Sequence, residues 1–197
     1  MTEIGPLVTL YEQDRVLYPE ALGRPTEHTE CAIFTRPGKL AKPGEIGELC
    51  FRGATLMTGF IGDPAQTEEF FRTGDGWGWT GDLAVMNEDK VISLVGRTKD
   101  MIISGGLNVY PAEIERILMD VPVVLECAVF GVPDTILGEL PAAVIVAQHA
   151  TTADEILTAC EMKMARHKRP RRIEFVEKIP KSPAGKVLRT ALREKFG

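Results

Sequence analysis

The chain has 197 residues, enough to bury one sizeable core or two small ones. Hydrophobic residues at 44% and charged residues at 26% are the proportions of an ordinary globular protein and exclude a fibrous or disordered class. A net charge of −5 argues against general nucleic-acid affinity, and no apolar run approaches the roughly 18 residues of a membrane span. Four cysteines, Cys31, Cys50, Cys127 and Cys160, are irregularly spaced with no C-x-x-C pair, so they suggest neither a zinc site nor a disulfide framework and fit a reducing cytoplasm. The first residues lack the charged-then-apolar pattern of a leader.

Residues 7 to 60 read as short strands and turns. Gly23-Arg24-Pro25, Arg36-Pro37-Gly38-Lys39 and Lys42-Pro43-Gly44-Glu45 punctuate β-prone runs at Cys31 to Thr35, Glu48 to Arg52 and Leu56 to Phe60. That spacing predicts a small, strongly bent antiparallel sheet or barrel. Asp63-Pro64 followed by Thr67 to Phe71 predicts a short helix. Asp82 ends a W-T-G-D stretch, Trp79 to Asp82, where a Gly-Asp pair is ordinarily just a turn. Trp77 and Trp79 are expected to pack beside that turn. Asn87-Glu88-Asp89-Lys90 makes a polar turn before the apolar run Val91 to Val95.

From Gly96 to Glu115 the text reads strand, charged joint, strand, glycine turn, helix. Arg97, Lys99 and Asp100 form the joint, and Ser104-Gly105-Gly106 the turn. Pro111 stands at the first helical position with Glu113 and Glu115 in the first turn, where acids suit the helix dipole. The paired glycines serve either a turn that needs positive φ or the close approach of a thin ligand. Arg97 is either a solvated hairpin end or a guanidinium offered to a polar ligand.

Beyond this stretch a compact α+β unit is expected. Pro111 to Asp120 is a helix with Ile114, Ile117 and Leu118 on one face, and Leu125 to Val132 and Ala142 to Ala147 are strands. Thr152-Ala153-Asp154-Glu155 is a capping box opening a helix striped by Leu157, Cys160 and Met164, which makes Cys160 core rather than nucleophile. Arg171 to Glu177 reads as a third strand and Val187 to Phe196 as a last amphipathic helix. Between these two lies an irregular loop, Ser182-Pro183-Ala184-Gly185, with Lys186 at its end. The basic run Arg166 to Arg172 reads as a solvated helix end with a weak attraction for phosphates, and His28 and His149 suggest no metal.

Three phrases in this order, W-T-G-D, G-R-T-K-D-M-I-I-S-G-G-L-N-V-Y-P-A-E-I-E and P-K-S-P-A-G-K-V-L-R, resemble the AMP-forming acyl-CoA synthetases of the adenylate-forming superfamily. The resemblance covers essentially the whole chain and implies the C-terminal portion of such an enzyme. It implies two domains, residues 1–98 as the β-rich end of a large N-terminal domain and residues 99–197 as the small mobile C-terminal domain, with Lys99 as the hinge. Asp82 would accept hydrogen bonds from the ribose hydroxyls, for which a carboxylate has the acceptor sites, and Arg97 would reach ribose or phosphate. Met1-Thr2-Glu3 resembles the end of the family's Y-G-x-T-E segment, which puts Thr2 near the α-phosphate and Glu3 on magnesium. Lys186 matches the adenylation lysine, and Ser104, Gly105 and Gly106 the stretch that meets coenzyme A. Lys90 departs from the pattern, since many relatives have glycine near it.

The implied substrates are a small-molecule carboxylate, ATP with Mg2+, and coenzyme A, with no nucleic-acid partner, and homo-oligomerisation is left open. No phosphate loop of the S-G-T-T-G-x-P-K-G kind occurs in the 197 residues. The chain is therefore expected to be inactive alone and to need the missing N-terminal domain. Two alternatives stand beside this reading. One is a fragment of an acyl-AMP ligase or peptide adenylation domain that serves a carrier protein. The other is a free-standing non-catalytic domain that docks on a complete synthetase.

Overall fold

The computed structural model describes residues 3–5 and 8–197. The chain divides into two compact units, Met1–Lys99 and Asp100–Gly197.

The first unit is built on a seven-stranded sheet. Its strands in chain order are β1 (Val8–Thr9), β2 (Ala21–Pro25), β3 (Glu30–Arg36), β4 (Lys39–Leu40), β5 (Gly47–Arg52), β6 (Gly78–Met86) and β7 (Ile92–Arg97). They lie in the order β1-β2-β7-β6-β5-β3-β4, with every pairing antiparallel. Among the described residues the two end strands do not meet, so the sheet is open and the expected barrel-like closure is not formed. Alternation sends Ile33, Leu49, Phe51, Ala84 and Ile92 to one face, where Phe70 covers them. Phe70 ends α2 (Pro64–Phe70), which Asp63 caps by accepting the Gln66 N–H at 2.9 Å. On the other face Ala32, Phe34, Cys50 and Trp79 cluster, with Trp77 partly buried against them, so both tryptophans pack beside the turn. Leu56 to Phe60 is not a strand: the segment is irregular and uses Leu56, Met57 and Phe60 to pad the core.

One element was not expected, α1 (Glu12–Leu17). It buries Asp14 completely and leaves Val16 and Leu17 exposed, the reverse of an amphipathic helix. The burial is compensated by Arg24 on β2, whose guanidinium grips the Asp14 carboxylate through two bonds of 2.7 Å.

The second unit sandwiches a five-stranded sheet between helices. A hairpin of β8 (Ile102–Ser104) and β9 (Leu107–Val109) leads into α3 (Pro111–Met119). The long strands β10 (Val124–Asp134) and β11 (Gly138–Ala147) pair antiparallel, and β12 (Arg172–Phe175) joins β11 in parallel. Successive residues of β10 and β11 face opposite ways. Val129, Ala143 and Ile145 meet Ile114, Ile117 and Leu118 of α3 and Ile156 of α4 (Ala153–Ala159). Ala128, Phe130, Ala142 and Val144 meet Leu192 of α5 (Arg189–Phe196).

The Thr152 capping box forms as expected, but α4 stops at Ala159. Cys160 is its C-cap and Met164 reaches the core from irregular chain. Burial pushes the Cys127 thiol up to about 12 and also raises Cys160, so these thiols stay protonated in the core.

Candidate functional site

The W-T-G-D stretch sits in a break of the sheet ladder. Glu48 pairs with Leu83 and Cys50 with Trp79, so the three residues Thr80, Gly81 and Asp82 stand opposite the single residue Leu49. Such a bulge turns side chains out of the regular alternation. Gly81 has φ +72°, a conformation that side-chain-bearing residues rarely adopt. Thr80 pins the bulge by donating its hydroxyl to the Leu49 carbonyl at 2.7 Å and accepting the Asp82 N–H at 3.0 Å. Asp82 is thereby set directly across from Arg97 on β7, and the Arg97 Nε donates to Asp82 Oδ1 at 3.0 Å. Two of the three residues that the resemblance assigns to the nucleotide are thus one cross-strand pair.

Beside the bulge a cleft of about 590 Å³ opens in the first unit. Glu3, Gly81, Arg97 and Lys99 line it, together with Arg72 and Trp79, while Asp82 stands next to it between Gly81 and its partner Arg97. The two ends of the first unit, Glu3 and Lys99, more than ninety residues apart, therefore meet in one concavity. Arg72 is engaged by Glu48 and Glu69 of the same lining, which leaves the Glu3 carboxylate for a hard cation and Arg97 and Lys99 for an anion, with aromatic walls. Among the described residues no three acidic, histidine or cysteine side chains gather into a metal cage. A single carboxylate is nevertheless what a magnesium ion carried by phosphate oxygens requires from a protein. Thr2 lies outside the described residues.

Lys99 is exposed and occupies the turn Thr98–Asp100. Asp100, which follows it, lies 3.7 Å from Arg189, the last residue of the P-K-S-P-A-G-K-V-L-R phrase. Arg189 also binds Glu115 at 2.6 Å and the Val129 carbonyl at 3.1 Å, while Glu115 accepts the Val129 N–H at 2.8 Å. This half-buried hub ties the start of α5 to α3 and β10. Neither Arg189 nor Glu115 announces it locally, because the partners are 74 positions apart. Three residues before the hub, Lys186 closes a small loop. Ser182 donates its N–H to the Lys186 carbonyl at 2.8 Å and accepts the Lys186 N–H at 3.2 Å, and Lys181 bridges to Val187. The lysine side chain itself is exposed.

Ser104, Gly105 and Gly106 form the tip of the β8–β9 hairpin. With Ser104 paired to Leu107, Gly105 and Gly106 are a two-residue loop with φ of +58° and +80°, the mirror-image turn that suits hairpin twist. The Gly105 N–H is bonded to the Leu137 carbonyl at 2.8 Å, and the Ser104 side chain is buried. Positive φ at both positions accounts for the two glycines without a ligand.

The basic run 166 to 172 is largely neutralised within the chain. Lys168 binds Glu113 at 2.6 Å, Arg169 binds Glu161 at 3.2 Å, and Arg172 binds Glu174 at 2.9 Å. It is a short 3-10 turn followed by β12, not a helix end.

Comparison with known proteins gives a consistent likeness. The family model described as "AMP-binding enzyme" matches residues 1–61, and the one described as "AMP-binding enzyme C-terminal domain" matches residues 113–186. A long-chain-fatty-acid--CoA ligase of Salmonella typhimurium is 40% identical over 195 residues, 98% of this chain and 34% of the relative. A feruloyl-CoA synthase of an Amycolatopsis species is 39% identical, over all of this chain and 40% of its own length. Among solved structures, an o-succinylbenzoate CoA synthetase of Bacillus subtilis in complex with its acyl-adenylate intermediate superposes with a TM-score of 0.91. It has 31% identity over 98% of this chain and 40% of that one. The same synthetase is also known with ATP and magnesium. The chain thus spans 34–40% of the length of these relatives.

Proposed function

The chain belongs to the AMP-binding enzymes and matches the C-terminal portion of their acyl-CoA ligases, and from that premise we propose that it supplies the nucleotide grip and the adenylation lysine of an ATP-dependent, AMP-forming acyl-CoA synthetase. The parent reaction would join a carboxylate to ATP as acyl-adenylate and pyrophosphate, then pass the acyl group to the thiol of coenzyme A. One observation carries the reading: Glu3, Arg97 and Lys99 line a single cleft beside Asp82, which pairs with Arg97 across the sheet.

Each residue has a chemical task in this account. The Asp82 carboxylate accepts the ribose hydroxyls and is held in place by Arg97, whose remaining guanidinium donors face the same ligand. Magnesium, when bound, neutralises phosphate charge, and Glu3 is its candidate protein ligand. Thr2 would contact the α-phosphate. The exposed ammonium of Lys186 is a compact charge suited to the carboxylate and phosphate oxygens as the adenylate forms. Lys99 is the pivot of residues 99–197, and Ser104 to Gly106 the stretch that meets coenzyme A. Because the Gly105 N–H is already bonded to the Leu137 carbonyl and Ser104 is buried, that contact would be one of backbone shape rather than of hydrogen bonds from these groups.

The acyl group's identity belongs to residues outside this chain. A fatty acid is the substrate class favoured by the Salmonella relative, while the feruloyl-CoA synthase speaks for a wider carboxylate class. The reading is tested by titrating the 15N-labelled chain with AMP. Resonances of Gly81, Asp82, Arg97 and Lys99 should shift together at millimolar AMP, and Asp82→Asn should weaken the effect by about tenfold or more, the loss of a charged hydrogen-bond acceptor. Shifts confined to residues 166–172, or none, would contradict it.

A further inference from the structure

Glu48 is one of the few charged residues buried in the first unit, in a strand whose other buried residues are apolar or glycine. Its carboxylate is used on both sides. Oε1 accepts the Gly81 N–H at 3.0 Å, and Oε2 accepts Arg72 Nη2 at 2.6 Å. The Arg72 guanidinium lies over the Trp79 ring, 4.2 Å from its centre, and its other terminal nitrogen reaches Glu69 at 2.9 Å. Trp79 is fixed in turn by its indole N–H, which donates to Thr73 at 3.0 Å. Arg72, Glu48, Trp79 and Gly81 all line the cleft described above.

We propose that Glu48 and Arg72 are positioning residues for the nucleotide grip, holding the Thr80–Asp82 bulge in the one shape that presents Asp82 to Arg97 and to the ribose. This rests on the reading of Asp82 and Arg97 as nucleotide contacts. A bulge has lost its ladder bonds and needs other partners to keep a fixed shape. Thr80 anchors its start on Leu49, and Glu48 anchors its middle at Gly81, the residue whose positive φ decides where Asp82 points. A buried ion pair gives little net stability once desolvation is counted, so its effect here is geometrical.

The chemistry demands a carboxylate. Both groups facing Glu48 are donors, and only an acceptor on each side satisfies them. A glutamine of the same shape must turn its NH2 towards Gly81 or towards Arg72 and leave one donor unmet. Glu48→Gln is therefore the informative change, and it should fold because its volume is unchanged.

The test compares wild type, Glu48→Gln and Asp82→Asn in the 197-residue chain, by amide hydrogen exchange, AMP titration and thermal melting. Glu48→Gln should speed exchange at Gly81 and Asp82 by about tenfold or more and weaken AMP by a similar factor, with exchange elsewhere in the sheet unchanged. A purely structural role would lower the melting temperature without a selective loss of AMP affinity, and that result would overturn the proposal. So would unchanged exchange and affinity in Glu48→Gln while Asp82→Asn loses AMP, which leaves the nucleotide reading standing. If Asp82→Asn binds AMP as the wild type does, the reading itself fails and the proposal falls with it. Should Glu48→Gln not fold, the double change Glu48→Met with Arg72→Met removes both charges without stranding one and carries the same expectations.

Discussion

Asp82 shows how much chemistry depends on one irregular step in a strand. A regular ladder from Trp79 to Ala84 would alternate Asp82 with its neighbours, whereas three residues opposite Leu49 set it across from Arg97 instead. The motif text pointed to Asp82 and Arg97, yet nothing in it marked Glu48, because a single glutamate within G-E-L-C-F-R looks like one polar residue of an edge strand. Its role appears only when the bulge brings Gly81 against it. The glycine pair is the opposite case: Gly105-Gly106 was readable as a turn needing positive φ, and the hairpin has that shape. Gly106→Ala would meet no atom within 4 Å, so its cost is purely that of the left-handed backbone. Thermal melting of the chain should register a loss of about 1 kcal/mol, and an unchanged midpoint would mean the turn is not held in this conformation.

At the scale of elements, the helices that announced themselves did so through chemistry at their ends: Asp63 and Pro64 for α2, Pro111 for α3, the Thr152 box for α4. Their far ends were less legible, since the apolar stripe runs on to Met164 although α4 ends at Ala159. Helix α1 was hidden for a physical reason. It is held by the buried Asp14–Arg24 pair instead of by an apolar face, and periodicity sees only apolar faces. That pair gives α1 its own pH response. The hydrogen bonds from Arg24 hold the Asp14 carboxyl below its ordinary 3.8, working against the desolvation that would raise it. A depressed folded-state value means the stabilisation is complete above the unfolded value and is lost as pH falls through the folded one. The difference in melting temperature between wild type and Asp14→Asn should therefore be constant near neutrality and shrink only as the solution is acidified below the ordinary carboxylate range. A difference that shrank between pH 8 and pH 6 would contradict the assignment.

On the scale of the molecule, the division after Lys99 separates two kinds of contribution. The first unit carries the bulge, the Asp82–Arg97 pair and the cleft. The second carries the exposed Lys186 on a loop fixed from behind by the Arg189 hub, and the Gly105-Gly106 tip. The middle of the three sequence phrases runs across this division: its Arg97 pairs with Asp82 of the first phrase, while its Gly105-Gly106 tip lies in the second unit. What stayed hidden were the supports, Glu48 with Arg72 and Glu115 with Arg189, whose partners are distant in the chain. The central claim is that these residues complete an adenylating enzyme whose remaining parts lie in the longer relatives. It is tested most directly by replacing the matching C-terminal third of the Salmonella ligase with this chain and measuring carboxylate-dependent pyrophosphate exchange. The chain alone should show none, and the chimera should be active. Lys186→Ala in the chimera should cut the exchange rate by about a hundredfold or more, the scale of losing a charge that stabilises the transition state, while the melting temperature stays put. A folded chimera that exchanges pyrophosphate equally well with and without Lys186, or a folded chimera with no exchange at all, would contradict the account.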